Sequence, residues 1–582
     1  MMAAVAGFAQ HLEQRGREAL VSAFGLDPAD ADPVIRRSPP DRPGDFQANA
    51  ALALAKRLGL KPREVAEKFV AALEVGELCE SVEIAGPGFV NLTARPEALA
   101  LLLPHDERLG VGEQDATTIV VDYSHPNVAK EMHVGHLRST IIGDALVRIY
   151  EFLGHRVIRH NHIGDWGTPF GMLIEHIRDI GEGETAHELS VGELDAFYKA
   201  ANAKFQSEPE FADRARQRVV MLQAGDVETL RLWKLLVDES ARYFGAVYDR
   251  LNVRLTDDDL IGESFYNPWL AEVAEELESA GIARVDDGAL CAFPEGFTGR
   301  EGDPLPLIIR KRDGGYGYQA TDLAAVRYRV SEVGADRIFY VVDAGQAQHH
   351  LPMVAAVAEA AGWARPGQQE LIRFGLVLGP DGQRLRSRRG ESVKLAELLD
   401  EAVERAAAVV ADKSPGLGPD EAAAVSRAVG IGAVKYADLS NDRVKDYVFD
   451  WERMLAMDGN TGPYLQYAIA RIRSIFRRAE EDGGAATEGS VLILQPAERE
   501  LALELLAFEE AVVGAAEALQ PHRLCTYLFT LAQTFTAFYE GCPVLRAESP
   551  EIRSSRLRLC DLTARTLAEG LSLLGIESPE RM

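Results

Sequence analysis

The sequence predicts a multidomain α/β chain: a small α+β unit, a parallel-sheet domain carrying a helical insertion, and a closing α-helical bundle. Three observations carry this prediction. At 582 residues the chain is too long for one core, and about 100–200 residues per domain suggests three or four units. Strand-like and helical stretches alternate from about 115 to 395, the pattern of a parallel sheet. From 396 to 582, alanine- and leucine-rich helical periodicity dominates.

Residues 1–110 set helical Asn49–Lys56 and Pro62–Val70 beside strand-like Val82–Ala85 and Phe89–Leu92, giving the α+β unit. Gly86-Pro87-Gly88 reads as a hairpin turn, because no third glycine follows and no helix opens after it. Thr117–Tyr123 is a buried strand, and Leu137, Ile141, Ala145, Ile149 and Leu153 then form a helix stripe that Gly154 ends. Further strands are expected at Arg156–Arg159, Asp336–Val342 and Leu371–Leu378. The segment 181–306 is longer than an ordinary crossover, largely helical and acidic, and reads as an insertion. Pro415, Asp458–Pro463 and Pro521 break the closing bundle into separate helices.

Composition narrows the function classes. Hydrophobic residues make up 47% and charged residues 26%, an ordinary globular balance, and no apolar run reaches the roughly 18–20 residues of a membrane span. The N-terminus has no basic start before its short apolar stretch, so no signal peptide is expected. The five cysteines show neither a CxxC pair nor zinc spacing, which suggests a reducing cytoplasmic setting and neither zinc nor disulfides. A formal charge of -28 argues against a nucleic-acid partner only on average, since Arg384, Arg386, Arg388 and Arg389 share one short loop. Arg471, Arg473, Arg477 and Arg478 lie along one expected helix, although such clusters also occur as plain solvated faces.

The chemistry concentrates where the first sheet strand hands over to a helix starting close to His136. Free N–H groups and the positive dipole end of that helix favour an anion. Gly135 lets a nucleotide approach the main chain, and His133 and His136 can donate to phosphate oxygens. Four letters alone fit a surface or capping pair equally well. The longer run Pro126-Asn127-Val128-Ala129-Lys130-Glu131-Met132-His133-Val134-Gly135-His136, with Gly143-Asp144 behind it, resembles the arginyl-tRNA synthetases. That resemblance covers nearly the whole chain, including Asn161–Gly167 and the terminal Glu580-Arg581-Met582.

The resemblance implies a Rossmann-like class I catalytic domain at 115–395, an additional tRNA-binding domain at 1–110 and an anticodon-binding bundle at 396–582. It implies arginine–tRNA ligase activity: arginine and MgATP give arginyl-adenylate and pyrophosphate, and arginine then passes to the terminal adenosine of tRNA(Arg), releasing AMP. The partners implied are tRNA(Arg), L-arginine and ATP with Mg2+ as its substrate complex, with no tightly bound cofactor, no zinc and no membrane, in a monomer. Lys130, His133, Gly135 and His136 are the ATP-binding and catalytic candidates, as donors that strengthen when the α-phosphate becomes pentacoordinate. The family's mobile KMSKS loop maps onto Arg384-Leu385-Arg386-Ser387-Arg388, with Arg384, Arg386 and Ser387 as candidates. Its second lysine position is Ser387, so Lys130 looks like the substitute cation; the alternative is an exposed loop lysine.

A guanidinium calls for a planar set of acceptors, and Asp122 and Asp322 match family positions for that role. Tyr318 stands one helical turn before Asp322, and Asn127 and Gln346 resemble residues that hold the amino acid's polar end or steady its guanidinium. For Asp322 the alternative is a helix cap or surface charge. His162 is expected to shape the pocket, and His349-His350 lacks a third metal ligand. His125 departs from the small residue the family often has there. For tRNA, the resemblance points to Phe89 and Asn91 in the first unit and to Tyr464, Tyr467, Arg471 and Met582 in the bundle. Buried strand and core positions are the alternative for the aromatic residues. The rival readings are another synthetase or nucleotidyltransferase of the same sheet fold, and an inactive relative that binds tRNA or proteins.

Overall fold

The computed structural model describes residues 7–38, 42–181, 194–299, 302–345, 348–386, 392–482, 484 and 489–582. Strands β1 (Ile35–Arg37), β2 (Phe46–Ala48), β3 (Cys79–Ala85) and β4 (Phe89–Ala94) form an antiparallel sheet in the order β1-β2-β4-β3. Gly86 and Gly88 turn the β3–β4 hairpin at φ 53° and 149°, values that favour glycine. The helix Pro62–Ala72 opens on a proline, whose missing N–H costs nothing at a first turn. Phe8, Leu12, Val65, Phe69, Val90 and Leu92 fill this core, joined by Leu503 from the C-terminal bundle. Arg499 of the bundle fixes that contact by donating to Asp45 at 3.0 and 2.5 Å and to the Ala94 carbonyl at 2.6 Å.

The central sheet begins with β5 (Thr118–Asp122) and β6 (Arg156–His160). Within the inserted segment, helices run Leu194–Ser207, Pro209–Gln223, Val227–Arg250 and Leu270–Ser279. After them come β7 (Ala283–Asp286), β8 (Ala289–Ala292) and β9 (Leu307–Arg310), a three-stranded antiparallel sheet. Asp287-Gly288 turns its first hairpin, with positive φ at both residues, and this dipeptide was a legible hairpin signal. Strands β10 (Arg337–Asp343) and β11 (Gln369–Phe374) complete the central sheet, which is all parallel in the order β11-β10-β5-β6. Ile119, Val121, Phe339, Val341 and Ile372 face one core and Val120, Ile338, Tyr340 and Val342 another. Both faces are covered, so the two central strands β5 and β10 carry near-continuous apolar runs, Ile119–Val121 and Ile338–Val342.

The expected strand Leu371–Leu378 is broken. β11 stops at Phe374, and β12 (Val377–Leu378) pairs in parallel with β13 (Tyr447–Val448). At the break, Gly375 N–H donates to the Arg443 carbonyl and Leu376 N–H to Asp446. A Cβ on Gly375 would lie 2.6 Å from the Lys445 carbonyl carbon, so the chain bends where only glycine fits. The bundle comprises Leu395–Lys413, Pro419–Leu439, Gly462–Glu481, Pro496–Leu505, Phe508–Glu517, His522–Gly541 and Pro550–Leu573, with the short turn Trp451–Met454. A buried ion pair, Arg138 to Asp438 at 3.2 Å, joins it to the helix Val134–Phe152 that follows β5. Among the described residues no helix is long and apolar enough to cross a membrane.

Candidate active site

The loop between β5 and the helix Val134–Phe152 lies beyond the carboxyl end of its strand, where parallel sheets bind ligands. Ser124, His125 and Ala129 hold φ of 80°, 54° and 59°, a strain of order 1–3 kcal/mol each that persists only under firm support. The inserted helices supply much of it. Ser240 accepts from Ala129 N–H at 2.9 Å, Asp195 from Glu131 N–H at 3.0 Å and the Tyr243 hydroxyl from Met132 N–H at 3.2 Å. Tyr248 OH sits 2.8 Å from both Ser124 Oγ and Asn161 Nδ2. The insertion, whose use the sequence left open, therefore forms the back wall of the loop.

The helix starts at Val134, two residues before His136, with His133 as its N-cap. His133 Nδ1 accepts from Gly135 N–H at 3.0 Å, and His136 Nδ1 accepts from His133 N–H at 3.1 Å. Both are thereby neutral rings with the proton on Nε2. Burial pushes the His136 imidazole down to about 3, with His133 beside it adding to the shift, and burial also lowers His133. Each ring thus offers one Nε2–H donor while the cap occupies the other nitrogen.

Both histidines line a cavity of about 410 Å³ that also takes in Asn127, Asp343, Arg384 and Arg386. Leu378 is bridged to Arg384 and Arg386 to Ser392, which sets Arg384, Leu385, Arg386 and Ser392 on the cavity wall. Ser387 and Gln346 lie outside the described residues. Lys130 is not on the cavity wall: its ammonium lies 4.4 Å over the ring of Tyr198 in the inserted helix.

A second, acidic group lies at the ends of β5, β6 and the helix Tyr318–Ser331. Asp322 Oδ2 meets His350 Nε2 at 2.5 Å and its Oδ1 stands 3.7 Å from His162 Nε2, while the Tyr318 ring packs edge-on against His350. Glu263, which sequence reading missed, joins this group. Burial, then the charges of Asp322 and Asp165, push its carboxyl up to about 8. Among the described residues neither Asp322 nor Glu263 pairs with a lysine or arginine, so the group lacks a cation. A cavity of about 650 Å³, lined by Glu263, Tyr318, Thr321 and Trp166, opens beside it.

Asp122 behaves differently from expectation. Arg329 Nη2 donates to its Oδ2 at 2.6 Å, while His125 Nε2, at 2.8 Å, and His162 N–H, at 3.3 Å, meet Oδ1. Burial alone would raise this carboxyl, but Arg329 and then His125 hold it well below the usual carboxylate range. Asp122, expected to meet a substrate guanidinium, has its charge matched by the buried Arg329 in this structure. His125, the departure noted in the sequence, is the ring that closes this carboxylate off.

His160 accepts from Arg329 Nε at 3.2 Å, and burial followed by the Arg329 charge pushes its imidazole down to about 3. An unfolded histidine titrates near 6.5, so the unfolded chain takes up a proton first as pH falls. Stability contributed by neutral His160 is complete above about 6.5 and is lost toward 3. At pH 5 the loss is about 2 kcal/mol. Urea unfolding at pH 7 and 5 should show it, and His160→Gln should flatten the difference.

The positions expected to meet RNA are unevenly offered. Asn91 is only 4% exposed and its amide oxygen accepts from Gln47 at 2.9 Å, so its side chain is turned inward; Phe89 is half-buried at the start of β4. Tyr467 is exposed, Tyr464 packs edge-on against Phe529, and Arg471 stacks on Tyr539. Arg473 and Arg477 donate to the Ser578, Pro579 and Glu580 carbonyls, fixing the C-terminal segment, and Met582 packs against the small core of Ala406, Val410, Val425, Val429, Ala433 and Leu455.

Three family models match the chain: the arginyl tRNA synthetase N terminal domain over residues 10–94, the catalytic domain of tRNA synthetases class I (R) over 98–451, and the DALR anticodon binding domain over 465–582. Fold and site thus define a class I aminoacyl-tRNA synthetase. The arginine–tRNA ligase of Thermobifida fusca is 57% identical over 98% of this chain and 99% of that protein, and that of Escherichia coli 48% over the same shares. Crystal structures of arginyl-tRNA synthetases from Plasmodium falciparum and Thermus thermophilus, each 28% identical, superpose with TM-scores of 0.84 and 0.82 over 99% of this chain and all of theirs. The chain belongs to the arginyl-tRNA synthetase family.

Proposed function

We infer that the acidic group takes the arginine guanidinium and that the histidine-capped helix start takes the phosphates of ATP. The chain is an arginine–tRNA ligase: it activates L-arginine with MgATP, releasing pyrophosphate, and transfers arginine to tRNA(Arg), releasing AMP. The observation that carries the residue assignment is the pair Asp322–Glu263, without a lysine or arginine partner among the described residues, at the cavity lined by Tyr318 and Thr321; His162 and Asp122 link it to His125 on the wall of the cavity that holds His133 and His136. A guanidinium entering there would meet carboxylates in a forked arrangement that an ammonium cannot match. Asn127, on the cavity wall, then faces the polar end of the amino acid, with Gln346 as its expected companion. Tyr318 flanks the entry, being 56% exposed.

The reaction needs no covalent enzyme nucleophile. The arginine carboxylate attacks the α-phosphate, and the protein's part is to align the two and stabilise the growing charge. His133 and His136 serve as Nε2–H donors to that charge, the Gly135 main chain stays open to the nucleotide, and Arg384 and Arg386 close over the phosphates with Ser387 in their loop. Lys130 supplies the additional cation. Residues 1–110 and 396–582 carry the tRNA, through Phe89, Asn91, Tyr464, Tyr467, Arg471 and Met582, around the catalytic domain at 115–395. The protein works as a cytoplasmic monomer without zinc.

Arginine-dependent ATP–pyrophosphate exchange, with and without tRNA, tests this reading; no exchange in either condition would overturn it. Asp322→Asn should raise the arginine KM by roughly 30-fold, about 2 kcal/mol, with the ATP KM nearly constant. An unchanged arginine KM would remove Asp322 from the pocket.

A further inference from the structure

We propose that Tyr198, on the inserted helix Leu194–Ser207, is a positioning residue that seats the Lys130 ammonium outside the phosphate cavity and releases it when ATP binds. This rests on the reading of Lys130 as a phosphate-binding cation. The seat is visible: Lys130 Nζ lies 4.4 Å over the Tyr198 ring, and Lys130 is absent from the wall of the cavity that holds His133, His136, Arg384 and Arg386. It is also near. The Lys130 charge is among the influences that lower both His133 and His136.

The backbone around Lys130 cannot carry the movement, because Ala129 N–H is held by Ser240 and Glu131 N–H by Asp195. Asp195 and Tyr198 stand three apart on one helix and so share a face: one residue pins the loop and the other holds its side chain. The four-carbon lysine stem is the only part left free to swing. The neighbouring acids are already engaged, Asp195 by Glu131 N–H and Glu131 by Lys394 at 2.8 Å, so the ammonium rests on a ring face instead of a carboxylate. Attraction to an aromatic face is modest, weak enough to yield to the charge of a triphosphate. The inserted helix thereby sets the energy of calling Lys130 to the phosphates, a use for the insertion beyond supporting the loop.

The test is a double-mutant cycle on the full-length enzyme, read by the ATP and arginine KM values and by single-turnover adenylate formation. Tyr198→Ala should lower the ATP KM roughly threefold to tenfold, leaving the arginine KM unchanged. Tyr198→Phe, which keeps the ring face, should restore the wild-type value. In a Lys130→Ala background, Tyr198→Ala should leave the ATP KM unaltered. A Tyr198→Ala effect of equal size with and without Lys130, a raised ATP KM, or no change beside a defective Lys130→Ala enzyme would each overturn the seat while sparing the role of Lys130. Normal adenylate formation by Lys130→Ala would overturn that role itself.

Discussion

His136→Ala is expected to slow arginyl-adenylate formation about 100- to 1,000-fold, the usual cost of one lost donor to a transition-state oxyanion. The size follows from the state of the ring. His136 Nδ1 is spent on His133 N–H, and burial keeps the imidazole neutral, its titration pushed down to about 3. Its Nε2–H is then a fixed donor throughout the working pH range, needing no proton uptake and little reorganisation. Alanine removes that donor and also leaves His133 N–H without its cap acceptor, costing of order 1 kcal/mol of stability. Rapid-quench measurement of adenylate formation at saturating ATP and arginine separates the two losses. A rate within threefold of wild type would show that the ring serves only as a cap.

Arg329→Leu is expected to destabilise the protein by about 3–5 kcal/mol, because it strands the buried Asp122 carboxylate. Asp122 is 4% exposed and Arg329 1% exposed, so water cannot replace the lost partner. The guanidinium also donates to His160 and lies over the Tyr340 ring, which adds to the loss. The sign with pH is distinctive. Asp122 is held well below the usual carboxylate range, so the stability it brings is present above the unfolded carboxyl value near 3.8 and fades only at lower pH. Without Arg329 this carboxyl rises, and mild acid should narrow the gap between variant and wild type. Urea unfolding of Arg329→Leu and of Arg329→Leu with Asp122→Asn measures both effects. A loss below 1 kcal/mol in the single variant would show that the pair is solvated.

Much of the site was legible in the letters. The strand ending at Asp122, the glycine between two histidines and the apolar stripe recurring every four residues placed the strand-to-helix turn within three residues of the observed helix start. Tyr318 and Asp322 lie one turn apart at the start of one helix, as their spacing requires. Glu263 carried no such signal, since it comes from a short 3-10 turn and meets Asp322 only across the fold. Arg329 was hidden similarly: it reads as one more basic residue on a helix, and only its 207-residue return to Asp122 makes it the buried counter-charge. Arg473 and Arg477 were hidden too: they read as part of one basic run, and only the fold shows them donating to the C-terminal carbonyls.

Local order fixes local geometry, so the sequence by itself determined the α/β architecture with its helical C-terminal part, the parallel sheet and the glycine-bearing turn between β5 and its helix. Backbone periodicity and capping act over a few residues, and these features need nothing longer. The tertiary structure alone decided which charges neutralise one another. Asp122 meets a buried guanidinium, whereas Asp322 meets only histidines and Glu263 neither lysine nor arginine among the described residues, because pairing depends on side chains brought together from distant parts of the chain. It likewise placed the inserted helices behind the strained loop and Tyr198 under Lys130, contacts that no spacing in the chain encodes.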